Sequence, residues 1–266
     1  MSVVDIHQGR SPIILGLPHT GTDVPPEIWE RLNDNGQLLA DTDWHIHELY
    51  AGLLSDATTV RATFHRYVID ANRDPSGTSL YPGQNTTGLV PETDFDGEAI
   101  WKEGEAPTEK DIAYRLQHFH APYHAALAAE IDRVKAIHGV AILYDCHSIR
   151  SHIPFLFEGK LPDFNIGTDM GKTCDPAVEA IAVDVTSAAE GYTSILNGRF
   201  KGGWTTRHYG QPDKGVHAIQ MELAQCTHLK TETPPFAYDD DKAAKLRTHL
   251  KTILTRMEDF ALALRP

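Results

Sequence analysis

Two histidines in this 266-residue chain follow apolar runs of strand character. His19 comes after Pro12-Ile13-Ile14-Leu15-Gly16-Leu17-Pro18, and His147 after Val140-Ala141-Ile142-Leu143-Tyr144-Asp145-Cys146. In open α/β sheets ligands bind beyond the carboxyl ends of strands, so both imidazoles are expected on the working side. A single strand-end histidine is more often a structural hydrogen-bonding residue. Two of them, with several carboxylates nearby in sequence, point to a metal. Zinc suits neutral imidazole and carboxylate, and its catalytic sites keep three protein ligands and a water. The third ligand is to be chosen from Asp23, Asp41 and Asp43. Asp41-Thr42-Asp43-Trp44 opens a predicted helix, where one carboxylate can cap and the other project. Asp43 is preferred as the ligand and Asp41 as the cap.

Glu222 lies in the predicted strand Ala218-Ile219-Gln220-Met221-Glu222-Leu223. Alternation puts Ile219, Met221 and Leu223 on one face, with Ala218, Gln220 and Glu222 on the other. A carboxylate near the end of a mostly apolar strand calls for a partner or a task, and facing a metal-held water it is a natural general base. Asn72 and Arg73 follow the run Tyr67-Val68-Ile69 and could present an amide and a forked guanidinium to one carboxylate. The competing reading pairs Arg73 with Asp70 or Asp74. Arg66, Arg150, Arg199 and Arg207 lie near the candidate strand ends or in the glycine-rich stretch around Gly202-Gly203-Trp204. Cys146 is a candidate thiol nucleophile, but His147 cannot readily serve it, because neighbours on an extended segment point to opposite sides.

These residues must be held by alternating strands and helices, the α/β pattern of a single domain over 1–266. Strands are expected at 12–17, 67–69, 140–144 and 216–223, and helices at 26–32 and 44–54. A longer helix begins at Glu109 and is closed by Gly139, with Pro122 kinking or dividing it. Another runs from the cap Asp175 to about Ala189, and the last spans 240–264. Between Asp74 and Thr108 the chain is rich in Gly and Pro without periodicity, a loop excursion of the kind used as lids or binding loops.

The net charge of -13 argues against nucleic acid or an anionic membrane as partner. An anionic substrate would therefore be drawn in by local cations. Three scattered cysteines make no disulfide framework. No apolar run approaches the ~18 residues of a membrane span, and the first residues lack a signal peptide's character, so a cytoplasmic monomer or small homo-oligomer is expected.

Five motifs occur in order: Pro18-His19-Thr20-Gly21, Asp43-Trp44, Arg66 to Asp74, Asp145-Cys146-His147-Ser148 and His217 to Leu223. Spanning most of the chain, from about residue 11 to 230, they resemble the N-formylglutamate amidohydrolase (deformylase) family. That family is similar in fold to zinc carboxypeptidases and aspartoacylases. The resemblance implies a mixed central sheet of roughly eight strands flanked by helices, with one zinc at the strand ends. It implies His19, Asp43 and His147 as zinc ligands, Asn72 and Arg73 as a carboxylate-binding pair, Glu222 as general base and Arg66 as the group that polarises the carbonyl. Zinc carboxypeptidases usually carry a glutamate three residues after the first histidine; here that position is Thr22, so the acidic ligand must come from elsewhere.

The implied reaction is zinc-dependent hydrolysis of the small acidic amide N-formyl-L-glutamate to formate and L-glutamate, a step of histidine degradation. Arg73 is the first anchor expected for its carboxylates, with Arg207 and Arg150 competing for the second. Two other readings compete. One is an aspartoacylase-like or carboxypeptidase-like hydrolase of another N-acyl amino acid or short peptide. The other is a dicarboxylate-binding protein without turnover.

Overall fold

A computed structural model describes residues 2–79 and 83–264. Seven strands form one mixed sheet: β1 (Val4–His7), β2 (Ile13–Leu17), β3 (Thr58–Ala62), β4 (Ala141–Ile149), β5 (Phe164–Gly167), β6 (Ser194–Leu196) and β7 (Val216–Ala224). Their order is β1-β3-β2-β4-β7-β5-β6. The central strands β3, β2, β4 and β7 run parallel, whereas β1 pairs antiparallel with β3 and β5 antiparallel with β7. Strands β2, β4 and β7 are buried along their whole length, as expected where helices or loops cover both faces of a parallel core.

On one face Ile13, Leu15, Tyr144, Cys146, Ile219 and Met221 pack under α2 (Ile46–Tyr50), α5 (Pro176–Ser187) and α7 (Asp240–Ala263). The other face carries Ile14, Leu143 and Ala218 against α4 (Ala121–His138). The short helices α1 (Pro26–Trp29) and α6 (Trp204–Tyr209) complete the cover. Residues 216–223 therefore alternate as the sequence predicts.

Helix α3 (Glu109–Arg115) starts at a capping box in which Thr108 accepts from the Asp111 amide and Asp111 accepts from that of Thr108. Before Pro122, Leu116–His120 forms a π-helical turn that joins α3 to α4. Proline has no N–H for the ladder and its ring crowds the carbonyl four residues back, so the chain widens there instead of breaking. Gly139 ends α4 at φ 77°. Asp175 caps α5 through the Ala177 amide, with Pro176 at its first position.

Several expectations need correction. Tyr67-Val68-Ile69 is a buried turn, closed by the Val68 amide on the His65 carbonyl, and the strand lies earlier at β3. Three apolar residues satisfy either reading, because burial alone does not impose extension. The helices expected at 26–32 and 44–54 shrink to α1 and α2. β4 does not end at Tyr144 but continues through Asp145, Cys146, His147 and Ser148 to Ile149. The sheet has seven strands. Of these, β1, β5 and β6 are only three or four residues long, too short to show a period. The 74–108 excursion is packed inward, with Leu89, Val90, Phe95, Ile100 and Trp101 buried; its residues 80–82 lie outside the described residues.

Candidate active site

The parallel register of β4 and β7 sets Asp145 beside Gln220 and His147 beside Glu222. With a side-chain period of two, these four polar groups share the α4 face near the carboxyl ends of the strands. His19 follows β2 one strand away. The Asp43 amide donates to the His19 carbonyl at 3.0 Å, which ties the Asp41–Trp44 segment to the same edge.

His19, Asp43 and His147 converge, each buried. Their Nδ1 atoms are 3.2 Å apart, and Asp43 Oδ2 stands 3.2 Å from His147 Nδ1 and 3.8 Å from His19 Nδ1. The far nitrogens are taken: His19 Nε2 is 2.7 Å from Asp70 Oδ1 and His147 Nε2 is 3.0 Å from Asp145 Oδ2. A carboxylate draws the ring proton to Nε2 and leaves a lone pair on Nδ1. Two such nitrogens and a carboxylate oxygen around one point call for one positive charge among them, a proton on His147 Nδ1 or a metal ion in its place. The donor set therefore fits one metal ion, and among the described residues no other group of this kind occurs.

Charge is balanced tightly around this triad. Asp43 Oδ1 accepts from Arg66 at 2.8 Å and Oδ2 from the Ser148 amide at 3.0 Å. Burial alone would raise the Asp43 carboxyl, but Arg66 and His147 reverse this and hold it below its usual range. Asp70 is likewise held well below, its burial outweighed by Arg73 and His19. Burial lowers His19. For His147 burial is overcome by Asp145 and Asp43, and its imidazole is raised well above the ordinary value. Glu222 behaves oppositely to Asp43 and Asp70, since burial pushes it up to about 7. Its Oε2 accepts from Gln220 Nε2 at 3.0 Å, and Gln220 Oε1 accepts from the Gly203 amide at 2.7 Å.

A cleft of about 70 Å³ opens over this set. Its walls include Arg66, Arg73, Arg199, Phe95 and Phe200, besides His19, His147 and Glu222. Arg73 bonds Thr86, Thr87 and the Asn72 carbonyl, and its guanidinium lies 3.5 Å from Asp70 Oδ2, so it is both a cleft cation and the ion-pair partner that the competing reading foresaw. The carboxamide of Asn72, also on the cleft wall, accepts from the Thr205 amide at 2.9 Å and places Nδ2 3.3 Å from His147 Nε2.

Two expected substrate-binding arginines lie elsewhere. Arg150 pairs with Asp96 at 2.8 Å, and Arg207 bonds the Gly202 carbonyl and lies 3.5 Å from Asp169; neither lines the cleft. Arg199 does, held by the carbonyls of Leu156 and Asn85. Asp41 caps no helix: it accepts from the Tyr67 hydroxyl and the Phe95 amide, and α2 starts at His45 without a side-chain cap. Asp23 is exposed, on a surface depression beside His45 and Arg61. Cys146 faces the opposite side of β4, where burial pushes its thiol well up, so it is no partner for His147.

Sequence reasoning missed Asp70 and Asp145 as anchors of the two histidines. Asp145 stands two residues before His147, on the same strand face, and metal-bound histidines almost always give their second N–H to such an acceptor. For Asp70 the sequence carries no comparable signal.

Comparison with known proteins identifies the family. The family model for N-formylglutamate amidohydrolase matches residues 11–229. A Pseudomonas aeruginosa protein named N-formylglutamate deformylase is 48% identical over 254 residues, covering 95% of this chain and 94% of that one. A Pseudomonas putida protein of the same name is 46% identical over 253 residues, with the same coverage. In fold the chain is similar to the crystal structure of N-formylglutamate amidohydrolase from Ralstonia eutropha, at 22% identity and a TM-score of 0.81 over 98% of both chains. It is also similar to a gene product of Agrobacterium tumefaciens, at 16% identity and a TM-score of 0.73 over 98% of this chain and 96% of that one. The matched span takes in every residue from His19 to Glu222, and the chain belongs to the N-formylglutamate amidohydrolase family.

Proposed function

We propose that the protein hydrolyses N-formyl-L-glutamate to formate and L-glutamate, and that His19, Asp43 and His147 hold the zinc ion it needs. The observation that carries this reading is the convergence of two carboxylate-anchored imidazoles and Asp43 beside Glu222, in a small cleft with guanidinium groups on its wall. The kinship to deformylases names the substrate; imidazole and carboxylate donors suit zinc among the divalent ions. Zinc bound there supplies a Lewis acid and brings the pKa of a water to about 7.

The chain's own residues do the rest. Glu222, raised by burial, accepts a proton from the attacking water and returns it to the departing amine of glutamate. Gln220 can only donate to Glu222, because its oxygen is committed to Gly203. Arg66 keeps Asp43 ionised and stands by the reacting carbonyl as a cation that compensates developing negative charge. Arg73 and Arg199 face the substrate carboxylates, and their location on the cleft wall supports this assignment over Arg150 and Arg207.

The test is formate release from N-formyl-L-glutamate by purified protein, before chelation, after chelation and after zinc is added back. Turnover lost on chelation and restored by zinc, with the N-acetyl analogue left intact, is the expected result. Turnover of N-acetyl or peptide substrates in place of the formyl compound would replace this reading with a wider acyl-amino-acid hydrolase. Binding without turnover of any of them would leave a dicarboxylate-binding protein.

A further inference from the structure

The segment that presents Asn72 and Arg73 to the cleft is clamped from behind. His124 Nε2 is 2.7 Å from the Ala71 carbonyl and His120 Nε2 is 3.0 Å from the Arg73 carbonyl. These two carbonyls flank Asn72 on either side. Both imidazoles are buried, and they lie one helical turn apart at the junction of the π-helical turn with α4. π-Turns inside longer helices recur at functional sites. The Ala71 carbonyl can only accept, so the His124 proton is on Nε2; Nδ1 lies 3.0 Å from the Tyr209 hydroxyl, which also donates to the His124 carbonyl. The Trp204 ring packs edge-on to His124 at 4.7 Å and stacks on His208 at 4.2 Å. Helix α6, which carries Trp204 and Tyr209, also supplies the Thr205 amide bound by Asn72.

We propose that His120 and His124 are positioning residues for substrate binding, which hold the peptides before and after the Asn72-Arg73 pair so that both residues face the cleft. This rests on the proposed reading of Arg73 as a carboxylate anchor. The choice of residue type has a physical reason. A buried carbonyl needs a donor, but a lysine or arginine here would add a second charge beside Arg73 and compete with it for substrate. A neutral imidazole donates one N–H, carries no charge and accepts a hydroxyl proton on its other nitrogen. Burial keeps both in that form, with His124 pushed down to about 3 and His120 lowered. The backbone amides of Asn72 and Arg73 bond Asp70, and among the described residues no second donor meets the carbonyls of 71 and 73, so those two oxygens could otherwise turn away.

The test compares His120→Leu and His124→Leu with His120→Gln and His124→Gln, because the Gln side-chain nitrogen can reach the place of Nε2. In the Leu variants KM for N-formyl-L-glutamate is expected to rise about tenfold, the scale of one net hydrogen bond, with kcat within about threefold. Zinc content stays at the wild-type value, the unfolding midpoint falls by no more than one lost buried hydrogen bond accounts for, and the Gln variants return KM to within about threefold of wild type. Calorimetric titration with glutarate reads the same positioning without turnover. Wild-type KM and Kd in the Leu variants overturn the proposal. Parallel loss of kcat, zinc and fold in Leu and Gln variants alike also overturns it, in favour of a structural role. Wild-type protein that binds glutarate but releases no formate overturns the proposed reaction, and the Kd ratio then decides on the clamp alone. Wild-type protein that does neither overturns both.

Discussion

Glu222 and Asp145 separate two jobs that carboxylates perform in one small space. Burial raises Glu222 to about 7, and its neighbour across the strands is His147. Replacing it by the isosteric Gln removes a proton acceptor and no candidate metal ligand. Glu222→Gln is therefore expected to lower kcat by about 10²–10⁴, with zinc content by elemental analysis unchanged. Asp145 touches the far nitrogen of His147, at 3.0 Å. Asp145→Asn is expected to weaken zinc about 10- to 100-fold in competition with a chromophoric chelator, and kcat at saturating zinc recovers more than for Glu222→Gln. An Asp145→Asn protein with wild-type zinc affinity would remove Asp145 from the metal site. The strand face of Glu222 is legible from alternation, whereas Asp145 was expected beyond the end of its strand and lies within β4. What alternation does not tell is which of the many carboxylates in an acidic chain meet the two histidines.

At the scale of elements, the α6 entry loop shows how closely backbone must approach a site. Gly203 precedes α6, and a Cβ there would overlap the Asn72 carboxamide. Its φ of -80° is open to any residue, so the demand is one of space and not of conformation. Gly203→Ala is expected to push Asn72 away from Thr205 and His147, raising KM at least tenfold and destabilising the protein by about 1–3 kcal/mol in urea unfolding. Wild-type KM and stability in that variant would show that α6 yields freely. The helices that matter here were unevenly legible. α4, α5 and α7 announce themselves by apolar period and caps, because each buries one long face. α1, α2 and α6 have four to six residues, fewer than two turns, and tertiary contacts create them.

Across the whole molecule, acid is expected to unfold the protein through its buried neutral histidines. His228 bonds the Trp44 carbonyl at 3.0 Å and burial pushes it down to about 4; His124 is pushed to about 3. Unfolded, each would titrate near 6.5. Below that value the unfolded chain binds protons that the folded chain refuses, so stability present above pH ~6.5 is lost as the pH falls towards 4 and 3. Urea midpoints measured from pH 7.5 to 4.5 should fall. His228→Gln, which keeps a neutral donor, should flatten that slope; an equal slope in the variant would remove His228 from the account. Zinc is expected to raise the thermal midpoint in a concentration-dependent way, because it binds only where the sheet and the Asp41–Trp44 segment bring three ligands together. An unchanged midpoint across zinc concentrations would contradict the proposed centre.

The sequence by itself determined the class of fold, the strands that lead to His19 and His147 and the face of Glu222, because these follow from local periodicity and from motifs whose order survives in one chain. Tertiary structure decided the rest. Asp43 stands out from Asp23 and Asp41 only when its segment folds against the end of β2, and Arg199 comes to line the cleft only when three distant loops meet over it. The same holds for Asp70 and for the pair His120 and His124, which act on residues about 50 positions away, 51 for Asp70 on His19 and 47 and 53 for the clamp. A periodic pattern reports which face of an element is buried, whereas a hydrogen bond between elements depends on how the faces are packed, and no local pattern encodes that.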